Sequence, residues 1–299
     1  MHPRGTAIDG SASPRAYAIG CWRGAGVESA LSMQNVTQRK VSRDGEEEEL
    51  DSIAVEEPLE IRVAGDALAI TMRSPGEDRF LAVGFLHAEG VIESIADVGS
   101  VAHCGRPDEE GFGNVIDVTP GPGVVLDPSK LELSRRGTLT TASCGICGRR
   151  SIDDLIGRVG PVGRNVSVAR AVIAAAPDRL LESQRAFATT GGVHAAAAHR
   201  PDGSVVAHAE DVGRHNAVDK VVGKLLYEAT LEEVAFLMVS GRVSFEIVQK
   251  AAAARVPIVA AVSAPTSLAI DLAERAEITL LAFVRGGRMN VYCHAHRLG

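Results

Sequence analysis

Residues 143–150, Ser-Cys-Gly-Ile-Cys-Gly-Arg-Arg, hold two of the five cysteines of a 299-residue chain, three positions apart. A Cys-x-x-Cys pair can grip a metal, shuttle electrons through a disulfide, or carry sulfur as a persulfide. Zinc usually takes four ligands; Cys144 and Cys147 supply two, and no second such pair follows. The zinc-deaminase signature, H-x-E followed by P-C-x-x-C, is absent: the segment at His194 lacks the glutamate, and Ser143 precedes Cys144. No metal site is therefore expected. A thioredoxin-type pair would open a helix beside a strand, whereas Gly145 and Gly148 describe a mobile loop. Arg149 and Arg150 favour a thiolate beside them. An activated thiolate on a loop suits a carrier that visits a donor and then an acceptor. A disulfide oxidoreductase is the rival reading, and Cys21, Cys104 and Cys293 read as ordinary thiols.

A second concentration of chemistry lies in Glu210-Asp-Val-Gly-Arg-His-Asn-Ala-Val-Asp-Lys220. A carboxylate such as Asp211 or Asp219 can accept the two N–H donors of a guanine, and arginine, lysine or a helix N-terminus can hold phosphate. Arg214 and His215 occupy a helix's first turn, where the macrodipole disfavours cations unless an anion sits among them. An exposed, salt-bridged helix start is the plainer alternative. Two further turns, Ser240-Gly241-Arg242 and Ser263-Ala-Pro-Thr266-Ser, each leave a strand and enter a helix. Ligands bind beyond the carboxyl ends of such strands, so a phosphate-bearing ligand is one reading and simple helix capping the other.

The elements that must position these groups follow from pattern. Residues 1–49 lack sustained periodicity, end in the run Glu46–Glu49, and are expected to be a disordered tail. Met33 is a candidate start, because nothing before it reads as structured. Residues 50–137 read as a small α+β domain: a hairpin of Leu59–Val63 with Leu68–Met72, a helix with Ser74 as its N-cap, and a strand over 114–118. Residues 138–149 are expected to form a mobile Cys-x-x-Cys loop. Residues 150–299 read as an α/β domain, with short helices expected over 151–159 and 177–187. A hairpin then joins 191–200 to 204–210, followed by alternating helices and continuous apolar strands, which require a sheet covered on both faces.

Composition closes off other classes. A net charge of −7 supplies no domain-wide positive field, so a general nucleic-acid binder is not expected. No apolar run approaches the roughly 20 residues that span a bilayer. Five unevenly placed cysteines make no disulfide framework, and the expected compartment is the cytoplasm.

Six segments in order, SCGICG, TGGVHAA, EDVGRHNAVDKVVG, SGRVSFEIVQKAA, APTSLAIDLAE and FVRGGRMNVY, resemble the FdhD family of formate dehydrogenase accessory sulfurtransferases. EEPLEIRVAG and GFLHAEGVI extend the resemblance over about residues 50–299. The resemblance implies a cysteine desulfurase as sulfur donor and formate dehydrogenase as recipient. The client it implies is the molybdenum bis(molybdopterin guanine dinucleotide) cofactor, held without any permanent cofactor. It makes Cys144 the persulfide-bearing residue, with Cys147 assisting or resolving. Phe283, Val284, Arg285, Gly286, Gly287 and Arg288 match its cofactor-binding segment. His194, Asp211, Arg214, His215, Asp219, Ser240, Gly241, Arg242, Ser263 and Thr266 become candidate seats for the two guanosine arms. The implied fold is α/β, a three-layer domain similar to cytidine deaminase with a smaller N-terminal α+β domain, and the implied assembly is a homodimer. A non-catalytic chaperone for the cofactor is the alternative within the same resemblance.

Overall fold

The computed structural model describes residues 32–43, 45–105, 112–126 and 160–299. Cys144, Cys147 and the helix expected over 151–159 lie outside the described residues. The chain opens with a two-stranded antiparallel ribbon, β1 (Met33–Ser42) and β2 (Gly45–Ala54), in unbroken register. This corrects the expectation of a disordered tail over these residues. The acidic run is held by cross-strand charge pairing, with Arg39 on Glu48 at 3.4 Å and Lys40 on Glu49 at 3.2 Å.

A four-stranded sheet follows, ordered β4-β3-β6-β5, from β3 (Glu57–Val63), β4 (Asp66–Arg73), β5 (Val98–His103) and β6 (Val115–Pro120). Its helix, α1 (Asp78–Ala88), starts without a side-chain cap, behind Glu77 in the left-handed region at φ 60°. Ser74 is not the N-cap; its hydroxyl accepts the N–H of Val212 at 3.1 Å, a partner 138 residues away.

The larger sheet has six strands, ordered β12-β11-β10-β9-β7-β8. These are β7 (His194–His199), β8 (Val205–Asp211), β9 (Phe236–Val239), β10 (Ile258–Ala261), β11 (Thr279–Arg285) and β12 (Arg288–Cys293). The inner three, β9, β10 and β11, run parallel; β7 runs antiparallel to β9, and β12 antiparallel to β11. Pleating sends alternate residues to opposite faces. Ala196, Ala198, Leu237, Val239, Val259 and Ala261 enter one core, while Ala195, Ala197, Phe236, Met238, Ile258 and Ala260 enter another. The second core is closed by α2 (Arg170–Ser183), which buries Ile173, Ala176 and Leu180. One helix was expected over 177–187; the chain instead breaks at Gln184 and restarts as α3 (Arg185–Thr190). Glu210 receives the first N–H groups of α3, from Ala186 at 2.9 Å and Phe187 at 2.8 Å.

On the opposite face lie α4 (Arg214–Tyr227), α5 (Phe245–Ala253) and α6 (Ser267–Arg275). Helix α1 crosses α4 at backbone contact. A methyl at Gly84 would collide with the Asp219 carbonyl, and one at Gly223 with the Phe80 carbonyl. The small sheet, α1 and α4 therefore share one continuous apolar core with the large sheet, from Leu59 and Ile61 through Leu86 to Val218 and Leu225. No helix among the described residues is long and apolar enough to cross a membrane.

Candidate functional site

Strand direction decides which residues can meet. The carboxyl ends of β9, β10 and β11 share one edge of the sheet, because these strands are parallel. Antiparallel pairing brings the start of β7 and the end of β8 to that same edge, with His194 opposite Asp211. Ser240-Gly241-Arg242, Ser263–Thr266, His194, Arg214 and the Phe283–Arg288 segment thus line one rim of one sheet.

Local hydrogen bonds hold this rim. Ser240 extends the ladder between β7 and β9: its Oγ accepts from Ala195 N at 2.9 Å, and its N–H donates to Ala195 O at 3.0 Å. The two strand exits are laced together, Val243 N–H to Ala264 O at 3.0 Å and Thr266 N–H to Val243 O at 2.9 Å. Thr266 spends its hydroxyl capping α6 through Ala269 N at 3.3 Å, so the capping alternative holds for this residue. Ser263 O accepts from Phe283 N at 3.2 Å, which joins the last strand to the same loop.

Gly241 is where the charges converge. A Cβ there would lie 3.3 Å from His194 Nδ1 and 3.4 Å from Arg214 Cδ, so its bareness lets these two side chains close around the turn. Burial first, and then Arg214 and Arg242, hold His194 below the ordinary imidazole value, with Asp211 opposing. Burial and Arg242 likewise lower Arg214, with Glu246 opposing. Arg214 Nε is enclosed and has no hydrogen-bond partner among the described residues. Two arginines that repel, one with an orphaned donor, make a seat for an anion.

The glycine-rich segment supplies a second positive point on the rim. Arg285 and Arg288 form the last pair of the β11–β12 hairpin, and Gly286 and Gly287 make its two-residue turn with φ of 56° and 72°. Both arginines are exposed; Val284 is buried in the core under α2. Phe283 sits at φ 54° where the register slips, a conformation costly for a residue with a side chain.

Asp211 and Asp219, candidate residues for the guanosine arms, are both buried and each is paired with a lysine. Asp211 is wholly buried and pairs with Lys220 at 2.7 Å; it also accepts from Gly213 N at 2.8 Å, Asn216 Nδ2 at 3.0 Å and Ser74 N at 3.2 Å. Its lone pairs are committed to fastening α4 onto the small sheet, a joint that Asn216 completes by donating to Met72 O at 2.7 Å. Asp219 is buried against Lys250 at 2.8 Å, and desolvation drives its carboxyl up to about 7 even so. His215 turns toward α5, with Nε2 2.9 Å from Ser244 Oγ and Nδ1 3.3 Å from Glu246.

Sequence reasoning missed a cavity of about 530 Å³ that opens beside His194 and Ser240. Leu180, Leu181, Phe187, Val193 and Val262 give it a largely apolar lining, with Asp178 and Gln184 among its polar groups. Leu181 falls off the buried stripe of α2 and stays 56% exposed, an ordinary feature of a surface helix that gives no signal in the sequence. Cys104 and Cys293 are free thiols, and burial pushes Cys293 up to about 11, which keeps it protonated and inert.

A family model described as the FdhD/NarQ family matches residues 54–299. The chain is 54% identical over 271 residues to a protein of Anaeromyxobacter dehalogenans named Sulfur carrier protein FdhD, covering 88% of this chain and 94% of that one. Proteins of the same name from Streptomyces coelicolor (48% over 254 residues) and Mycobacterium tuberculosis (47% over 256 residues) each match 83% of this chain, and 89% and 92% of their own lengths. Among solved structures, a crystal structure described as a formate dehydrogenase accessory protein of Desulfotalea psychrophila superposes with a TM-score of 0.70. It is 23% identical and covers 89% of this chain and 99% of its own, a likeness of fold.

Proposed function

The chain belongs to the FdhD/NarQ family, and from that premise we propose that it is a sulfurtransferase that carries sulfur, as a cysteine persulfide, for formate dehydrogenase. A cysteine desulfurase is the donor in this reading. The Cys144 thiolate attacks the donor's terminal sulfur; a new S–S bond forms on Cys144, the donor's S–S bond breaks, and the donor cysteine leaves as thiolate. Cys147 assists or resolves. The acceptor is the molybdenum bis(molybdopterin guanine dinucleotide) cofactor, a substrate that this chain binds and passes on in the cytoplasm, as a homodimer. A sheet of cytidine-deaminase type, stripped of zinc chemistry, is the fold we assign to this task.

The observation that carries the reading is the enclosed Arg214 Nε, without a hydrogen-bond partner among the described residues, beside Arg242 and His194. An anionic nucleotide arm suits these groups: phosphates on the arginines, with a base entering the apolar cavity beside His194 and Ser240. Arg285 and Arg288 would meet the second arm on the same rim. The experiment is the intact mass of the full chain after incubation with a cysteine desulfurase and cysteine, with and without reductant. One reductant-sensitive added sulfur, mapped to Cys144 and absent from Cys144→Ala, is the expected result. Sulfur acceptance and formate dehydrogenase activation that both survive Cys144→Ala would overturn the proposal.

A further inference from the structure

Helices α5 and α6 leave the sheet in the same way, one strand apart, yet their first hydroxyls behave differently. Thr266 caps its own helix. Ser244, at the N-cap of α5, makes no such bond; its Oγ lies 2.9 Å from His215 Nε2. The other ring nitrogen, Nδ1, faces the Glu246 carboxylate at 3.3 Å. A cap bond is worth about 1 kcal/mol to a helix, and Ser244 forgoes it to stand on an imidazole that a carboxylate orients from behind. That order, hydroxyl to Nε2 and Nδ1 to carboxylate, is the arrangement that turns serine into a nucleophile.

The surroundings supply the remaining parts. Ser244 and Glu246 are both half-buried, and His215 is buried between them, so the imidazole is the most withdrawn of the three groups. The N–H groups of Ile247 and Val248 already donate to Ser244 O, at 3.1 and 3.3 Å; those of Phe245 and Glu246, which precede the first helical bonds, are the ones suited to a developing oxyanion. Val243, the preceding residue, is fixed by its two hydrogen bonds to the neighbouring exit. Arg214 stands within electrostatic reach of both Glu246 and Arg242 and sets the sign of the substrate. A mere strut between α4 and α5 would need none of this, since Lys250 already joins those helices through Asp219.

We propose that Ser244, His215 and Glu246 form a nucleophile, base and orienting carboxylate that open carboxylic esters bearing an anionic group, held by Arg214, through an acyl-serine. Ser244 Oγ attacks the carbonyl carbon while its proton passes to His215 Nε2. The ester C–O bond breaks and that proton leaves with the departing alcohol. Water, deprotonated by the same nitrogen, then releases the acid and restores the serine. No redox partner is needed.

The test uses the full chain carrying Cys144→Ala and Cys147→Ala, so that thiol acylation cannot contribute. Incubation with an alkyl fluorophosphonate should add one phosphonyl group, mapped to Ser244 by peptide sequencing. Ser244→Ala should abolish the label, and His215→Gln should slow it by about a hundredfold or more. The anionic ester 4-nitrophenyl succinate should be hydrolysed faster than neutral 4-nitrophenyl acetate, and Arg214→Gln should remove that preference. Labelling confined to other residues, or no label above that on denatured protein, overturns the proposal; so does equal ester hydrolysis by the Ser244→Ala protein. Mapping on the chain with its serine intact makes the outcome independent of how well the variants fold.

Discussion

Asp211 and Lys220 meet at 2.7 Å in a pair that is almost entirely withdrawn from water, with side chains 0% and 2% exposed. Three further donors, from Ser74, Gly213 and Asn216, satisfy the same carboxylate, so the pair is the centre of the joint between α4 and the small sheet. Replacing Asp211 by Asn keeps the shape but strands the Lys220 ammonium in the interior. We expect a loss of about 3–5 kcal/mol, as for other broken buried pairs, read from chemical denaturation. A loss below about 1 kcal/mol, the level of a surface pair, would mean that the joint is wet.

The crossing of α1 over α4 gives a second expectation. Alanine favours a helix by about 1 kcal/mol over glycine, so Gly223→Ala should stabilise α4 if its surroundings were open. They are not, because the Phe80 carbonyl stands where the methyl would go, and a backbone atom of a packed helix yields little. The thermal midpoint should therefore fall, with overpacking outweighing propensity at about 1–3 kcal/mol. A raised midpoint would show that the helices stand further apart.

Guanosine diphosphate is the probe for the rim. Arg214→Gln and Arg242→Gln should each weaken its binding about tenfold or more, the worth of a charge-assisted hydrogen bond. Added salt should weaken binding to the native chain and affect the double variant less. Unchanged affinity by calorimetry in both single variants would remove the anion seat from this end of the sheet.

His194 reports on the same seat through pH. Its folded value lies below the ordinary 6.5, so the unfolded chain takes up the proton first as pH falls. The stability His194 lends is whole above the unfolded value and drains away as pH drops through the folded one. An anion settling between Arg214 and Arg242 offsets the two charges that depress it, so ligand binding should raise it. Titration of the His194 ring protons by NMR, with and without guanosine diphosphate, should show an upward move. A downward move, or none at saturating ligand, would place the nucleotide elsewhere.

The strand alternation of β7 to β11 was legible in the sequence because continuous apolar runs with helices between them admit few other arrangements. The rim was legible for the same reason, since strand exits in such sheets share an edge. The β1–β2 ribbon was not. Four consecutive glutamates read as a solvated tail until the basic residues across the ribbon are placed beside them, and that pairing depends on register. Ser74 was misread as a cap because the local pattern offered one, whereas its partner, the Val212 N–H, comes from the other sheet. The burial of Asp211 and Asp219 is equally hidden from the sequence. A buried charge and an exposed one look alike in one dimension, and only Lys220 and Lys250 tell them apart.

The reciprocal hydrogen bonds of Val243 with Ala264 and Thr266 bear on how the rim handles a ligand with two similar halves. The two strand exits are tied to each other, so under the proposed function an arm that settled into one would bear on the shape offered to the second. Any coupling between the two halves would be felt equally by each arm. Under the proposed function, that link would let a client with both arms seat differently from one that has lost an arm.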